Sequence, residues 1–233
     1  MKILALESSA KAASCAVLAD GVPVASAWQC TGLTHSRTLL PMVEDMLHSS
    51  DLTLQDLDAV AVAAGPGSFT GLRIGISAVK GLAWAADKPC VSVSTLAALA
   101  RNVAFMDGLV VCAMDARRQQ VYNALFEARD GAPARLTPDR AISLADLAEA
   151  LRDDPRPKTV LGDGGQMCFD YLTAAGVPCR LAPAHLVKED AVSVALEAEE
   201  LARAGGLVTA QELAPVYLRP PQAERLRLER QGR

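Results

Sequence analysis

Over the first thirty residues, short apolar runs alternate with polar breaks. The runs 2–7 (KILALE), 14–18 (SCAVL) and 22–28 (VPVASAW) are separated by a Ser/Ala/Lys stretch and by Ala19-Asp20-Gly21. This spacing predicts three antiparallel strands, the last two joined as a hairpin at the Asp-Gly turn. From Thr34 the period changes. Leu39, Leu40, Val43, Met46 and Leu47 recur at helical spacing, and Pro41 within them predicts a helix that is kinked or starts late. The continuous apolar run 57–64 predicts a strand buried on both faces, which feeds the glycine-rich segment Gly65 to Gly75, GPGSFTGLRIG. A second helix follows to Ala86, and Gly71, Gly75, Ala78 and Gly81 give it a surface of small residues. Each glycine inside a helix costs about 1 kcal/mol relative to alanine, so something must need the close approach it permits. The run 89–93 predicts a fifth strand, after which Ser94 or Thr95 caps a third helix to about Ala104.

The order strand, strand, strand, helix, strand, helix, strand is that of a ribonuclease H-like α/β unit, with helices on the faces of a five-stranded mixed sheet. After Asp107-Gly108 the signals restart. Strands are expected at 110–114, 121–126 and 159–161, and helices at 143–151, after Gly162-Asp163-Gly164-Gly165, and at 193–204. The second half reads as a reduced version of the first. The expected architecture is two ribonuclease H-like lobes around a cleft, with residues 1–104 as the first lobe, 105–218 as the smaller second lobe and 219–233 as a flexible basic tail.

Composition narrows the class. The 233 residues are 51% hydrophobic and 21% charged, which suits a packed fold. A formal net charge of −4 gives nucleic acid no electrostatic invitation from the surface as a whole, and the only basic concentration is the tail. No two of the six cysteines form a C-x-x-C, which speaks against a zinc knuckle or a thioredoxin-like motif. Glu7 and Lys11 interrupt the apolar stretch that a signal peptide requires, and there is no apolar run of about 18 residues. A cytoplasmic protein with reduced thiols and no membrane contact is expected.

Candidate chemistry is sparse. His35, His48 and His185 are the only histidines and none has a ligand at metal-site spacing. Ser68 lacks the final glycine of a nucleophile elbow and reads better as a helix cap. The loop at Gly65, Gly67 and Gly71 lacks the lysine of a Walker A motif and misses the dinucleotide fingerprint by one residue. What remains are vestigial phosphate loops at Ser8 and Ser9, at Gly65, Gly67 and Ser68, and at Gly162 and Gly164.

The segments 3–9 (ILALESS), 35–41 (HSRTLLP), 65–75 (GPGSFTGLRIG), 114–117 (MDAR) with Val121-Tyr122, and 215–219 (PVYLR) resemble the TsaB family, the non-catalytic relatives of TsaD-type transferases grouped with the M22 glycoproteases. The likeness spans nearly the whole chain. It implies the ASKHA fold and a role in forming N6-threonylcarbamoyladenosine at position 37 of ANN-decoding tRNAs. It also implies the partners: a TsaD-type transferase, a TsaE-type ATPase reached through the complex, a second copy when the chain is alone, and tRNA only indirectly. The two metal-binding histidines of TsaD-type enzymes fall here on Thr95 and Leu99, so no catalytic residue, metal or cofactor is implied. Glu7 stands where aspartate is usual. The partner face is expected on the two helices, at Leu39, Val43, Met46, Leu47, Gly71, Gly75, Ala78 and Gly81. The alternative is a stand-alone actin-like ATP-binding enzyme or M22-type glycoprotease using the cleft and its glycine loops.

Overall fold

The computed structural model describes residues 1–219. The tail, expected to be flexible, lies outside the described residues beyond Arg219. In chain order the elements are β1 (Lys2–Glu7), β2 (Ala13–Ala19), β3 (Val22–Gln29), α1 (His35–Ser49), β4 (Ala59–Gly65), α2 (Phe69–Ala86), β5 (Cys90–Ser94) and α3 (Thr95–Arg101). They continue with β6 (Gly108–Asp115), β7 (Gln120–Arg129), β8 (Ala132–Arg135), β9 (Arg140–Ser143), α4 (Leu144–Leu151), β10 (Lys158–Leu161), α5 (Gly165–Ala174), β11 (Arg180–Leu181), α6 (Ala191–Arg203) and β12 (Leu207–Val208).

One sheet has the order β12-β5-β4-β1-β2-β3 and the other β11-β10-β6-β7-β8, with β9 also paired to β7. In the first sheet β1 is central, antiparallel to β2 from Lys2↔Ala19 to Glu7↔Ser14 and parallel to β4 from Ile3↔Ala59. Alternation along the strand sends Leu4 and Leu6 to the face covered by α1 and α2, and Ile3 and Ala5 to the face covered by α6. This first lobe matches the expected ribonuclease H-like unit, with two corrections. It has six strands and not five, because β12 adds antiparallel to β5 at Leu207↔Val91. The second lobe does not run from 105 to 218, because α6 returns to the first sheet and packs Val194, Ala195, Ala198 and Ala202 against Ile3, Ala61 and Val91. Elsewhere, α1 starts at His35 after its cap Thr34 and runs through Pro41, an exposed position on its outer side.

The lobes share one buried element. Every residue of α3 from Thr95 to Ala100 is buried. Leu96, Leu99 and Ala100 pack with Val110, Cys112 and Phe126 of the second sheet, while Ala98 packs with the first. Just beyond it, Asn102 Nδ2 donates at 2.8 Å to both the Leu186 and Lys188 carbonyls, and Ser193 Oγ donates to Asn102 Oδ1 at 2.5 Å. The crossing that leaves the first lobe after α3 and the one that returns to it before α6 are thus tied together on one amide side chain.

Candidate functional site

The cleft is built from four turns and the C-terminal segment. Where β1 ends, the Ser9 amide donates to the Glu7 carboxylate and the Ser9 carbonyl accepts from the Ser68 amide at 2.6 Å. Ser68 caps α2, its hydroxyl accepting from the Gly71 amide at 3.3 Å. Opposite stands the β6–β7 hairpin. There Asp115 accepts from the Arg117 amide at 2.7 Å and ion-pairs with the Arg117 guanidinium at 3.1 Å. Arg117, Arg118 and Gln119 follow with φ of 66°, 55° and 56°, three successive left-handed residues that carry side chains. The turn after β10 supplies Asp163, which accepts from the Asp115 amide at 3.0 Å. These parts enclose about 350 Å³, near the low end for ligand pockets, with Lys11, Arg117 and Arg219 facing Asp115 and Asp163.

Behind the cleft lie two buried carboxyls. Glu7 and Glu189 are each 1% exposed. Burial lifts the Glu7 carboxyl to about 7, against the pull of the Ser9 hydrogen bonds and with the charges of Asp190 and Asp163 adding to it. Glu189 is raised as well, first by burial and then by the charges of Asp163 and Glu7. Its carboxylate accepts from the Asp163 amide at 2.9 Å and its backbone carbonyl from Trp28 Nε1 at 3.2 Å, so it joins the second lobe's glycine turn to β3. Sequence reading did not find Glu189; a lone acid just ahead of a helix carries no motif.

Of the expected phosphate positions, Ser9, Gly67 and Ser68 line the cleft and the rest are consumed by internal packing. Ser8 is fully buried and its hydroxyl donates to the Gly71 carbonyl at 2.9 Å. A Cβ at Gly65 would stand 2.3 Å from the Val216 carbonyl oxygen, and one at Gly67 2.6 Å from that of Ser9. In the second lobe, Gly162 and Gly164 press on Ala113 and Asp115 of the hairpin, with would-be Cβ contacts of 2.2 and 2.7 Å. The glycines let backbone meet backbone across the walls of the cleft.

The expected partner face needs correction at six of its eight residues. Leu39, Val43, Met46 and Leu47 are buried in the chain's own core. Gly71 and Gly75 lie against Ser8, where a Cβ would come within 2.1 and 2.3 Å of its carbonyl and hydroxyl oxygens. A helical apolar stripe looks the same whether it meets its own sheet or another protein, and here the sheet takes it. Ala78 is half-buried and Gly81 is exposed with nothing within 4 Å of its Cβ position. What α1 and α2 do present outward is a groove of about 600 Å³ lined by His35, Leu40, Phe69, Arg73, Ile74 and Ala78 among others. Leu40, next to the buried stripe, is 47% exposed. His35 fixes the end of this groove, its Nε2–H donating to the Ala10 carbonyl at 2.8 Å.

Two ribonuclease H-like sheets packed on a shared helix, with turns converging on an interlobe cleft, define the two-lobed ASKHA class. The family model "TsaD: tRNA N6-adenosine threonylcarbamoyltransferase" matches residues 29–213. The chain is 35% identical over 235 residues to "tRNA threonylcarbamoyladenosine biosynthesis protein TsaB" of Bacillus subtilis (strain 168), covering 99% of this chain and 100% of that protein. It is 32% identical to the protein of the same name from Escherichia coli (strain K12), over 94% of this chain and 95% of that one. A solved structure titled "YeaZ from Pseudomonas aeruginosa" superposes with a TM-score of 0.81 at 31% identity, covering 93% of this chain and 99% of that chain. The chain belongs to the TsaB family.

Proposed function

We propose that this chain is a non-catalytic subunit in the formation of N6-threonylcarbamoyladenosine at position 37 of ANN-decoding tRNAs, and that it supports a TsaD-type transferase through the α1–α2 groove. The observation that carries this reading is α3. At the positions where the family resemblance sets the metal-binding histidines of TsaD-type enzymes, this helix has Thr95 and Leu99, 0% and 1% exposed within the apolar layer between the lobes. Neither side chain offers the imidazole nitrogen such a site uses. The turns of the cleft support the same reading, since most of their glycines and serines serve internal packing. Transferase binding falls to the outward groove with Leu40, Phe69, Arg73 and Ile74, an apolar strip beside a cation. In isolation, a second copy takes that place. A TsaE-type ATPase joins through the complex, tRNA is reached only through the transferase, as the formal net charge of −4 favours, and the work is cytoplasmic. No helix among the described residues is long and apolar enough to cross a membrane.

The test is reconstitution. Threonylcarbamoyl-adenylate and an ANN-decoding tRNA are supplied to a TsaD-type transferase and a TsaE-type ATPase with ATP, with and without this chain, and the modified nucleoside is measured by mass spectrometry. Modification that needs the chain, together with no turnover by the chain alone, supports the proposal. Equal yield without the chain, or turnover by it alone, overturns it.

A further inference from the structure

After β12 the chain runs along α2 toward its N-terminus and then crosses to the other lobe. Lys80 Nζ donates to the Gln211 carbonyl at 3.3 Å, and Leu213, 1% exposed, anchors the segment in the core beneath α1 and α2. Next, the Val216 amide donates to the Ala64 carbonyl at 2.8 Å, and the Val216 carbonyl lies in the space that Gly65 leaves open at φ +131°. Tyr217 then stacks on Phe69 with centroids 5.0 Å apart and accepts at its hydroxyl from Arg73 Nε at 3.0 Å. The Arg73 guanidinium itself lies 3.9 Å above the Phe69 ring. Finally, Arg219 Nη1 donates at 2.8 Å to the carbonyl of Ala116, in the hairpin of the opposite lobe.

We infer that residues 215–219 form a strap that clasps the two lobes across the mouth of the cleft and, through Tyr217, fixes Arg73 in the α1–α2 groove, so that occupancy of the groove and closure of the cleft are coupled. The coupling rests on the function proposed above; the strap itself does not. Phe69 and Arg73 give the physical link. Phe69 lines both the cleft and the groove, and Arg73 lines the groove while being held by the strap residue that walls the cleft. A partner that immobilises Arg73 removes the disorder Tyr217 would otherwise have to overcome, and the strap tightens. Tyr217 and Arg219 are positioning residues in this scheme.

Hydrogen exchange of the full chain, read by mass spectrometry, tests the strap first. In the free wild-type chain the Val216 amide is protected. Arg219→Ala and Tyr217→Ala each speed its exchange about tenfold, and Arg219→Ala does the same for the amides of 117–120, while those of α4 keep their rates. Unprotected Val216 in the wild type, or unchanged rates in both variants at native circular dichroism, overturns the strap. A TsaD-type transferase tests the coupling. Its binding slows exchange across 216–219, Tyr217→Ala weakens its affinity about tenfold, and Tyr217→Phe, which keeps the stack but not the Arg73 bond, falls between. Equal affinity for all three chains overturns the coupling. If the transferase does not bind even the wild type, the coupling and the proposed function both fall, while exchange in the free chain still decides the strap.

Discussion

Both lobes turn from strand to helix through glycines, yet the two turns are held differently. In the first lobe, Gly67, Gly71 and Gly75 bring α2 onto Ser8 and Ser9 of the neighbouring turn, and Gly65 receives the strap. Ser68 caps the helix, and the 18 residues of α2 extend far enough to offer a face to solvent. In the second lobe Gly162 and Gly164 press on the hairpin in the same way, but Gly164 caps α5 without a side-chain hydrogen bond and that helix is only 10 residues long. Its turn is secured instead by the Glu189 carboxylate reaching in from the interlobe crossing. The first turn is fixed by shape, and the second by shape together with a buried carboxyl that burial pushes toward its neutral form. Such a difference suits a chain in which one lobe presents a surface and the other braces it.

Substitutions at these turns can break or sharpen the contrast. The largest effect is expected from Gly162→Ala, which combines a Cβ 2.2 Å from the Ala113 carbonyl oxygen with a backbone at φ +111°. It should cost about 4 kcal/mol in urea unfolding; a loss as small as that of a surface mutation would mean that the hairpin yields freely. Second is the pH response of the carboxyl pair. Glu7 has a folded value of about 7 against an ordinary 4.5, so between those values the folded chain holds a proton that the unfolded chain has already lost. Stability from this group is therefore complete below pH 4.5, declines as the pH rises toward 7, and ends about 3 kcal/mol lower, with Glu189 acting in the same direction. Glu7→Gln should flatten that decline in denaturation curves taken at several pH values, and an unchanged slope would mean that Glu7 does not hold a proton in the folded chain.

Third is Gly71→Ala. Its Cβ would lie 2.1 Å from the Ser8 carbonyl oxygen, but alanine gains about 1 kcal/mol of helix propensity, leaving a net loss of about 2 kcal/mol by the same unfolding measurement. Smallest is Gly81→Ala, where no atom stands within 4 Å of the new methyl group. Thermal unfolding should show a gain of about 0.8 kcal/mol. A loss there would mean that a second copy already lies close against α2.

Much of this was legible along the chain, for identifiable reasons. The strands 2–7, 14–18 and 22–28, the buried strand into Gly65 and the small-residue helix after it all carry local periodicity, and all appear within a residue or two of their expected places. β12 was not visible because two residues have no period, and the return of α6 to the first sheet leaves no local mark. The glycines of 65–75 correctly signalled close approach. What approaches, however, is Ser8, Ser9 and Val216, residues that lie dozens of positions away or, for Val216 and Gly65, more than a hundred. The stripe at Leu39, Val43, Met46 and Leu47 signalled burial without naming what buries it. The groove's residues on α2, Phe69, Thr70, Arg73, Ile74, Ser77 and Ala78, do recur at helical spacing, but they mix polar with apolar side chains and so leave no apolar stripe, and Leu40 joins them only when α1 and α2 lie side by side.

The return of α6 and β12 to the first sheet also sets the order in which the chain can finish folding during synthesis. Domains usually complete from the N-terminus onward. Here one face of the first sheet waits for Val194 to Ala202, and one edge waits for Leu207 and Val208, whereas the second sheet draws all its strands from Gly108 to Leu181. The later-encoded lobe can therefore close on the ribosome before the earlier one. Until residues 194–208 have been made, the nascent chain carries an open apolar sheet at Ile3, Ala61 and Val91, a ready substrate for chaperones that bind exposed strands.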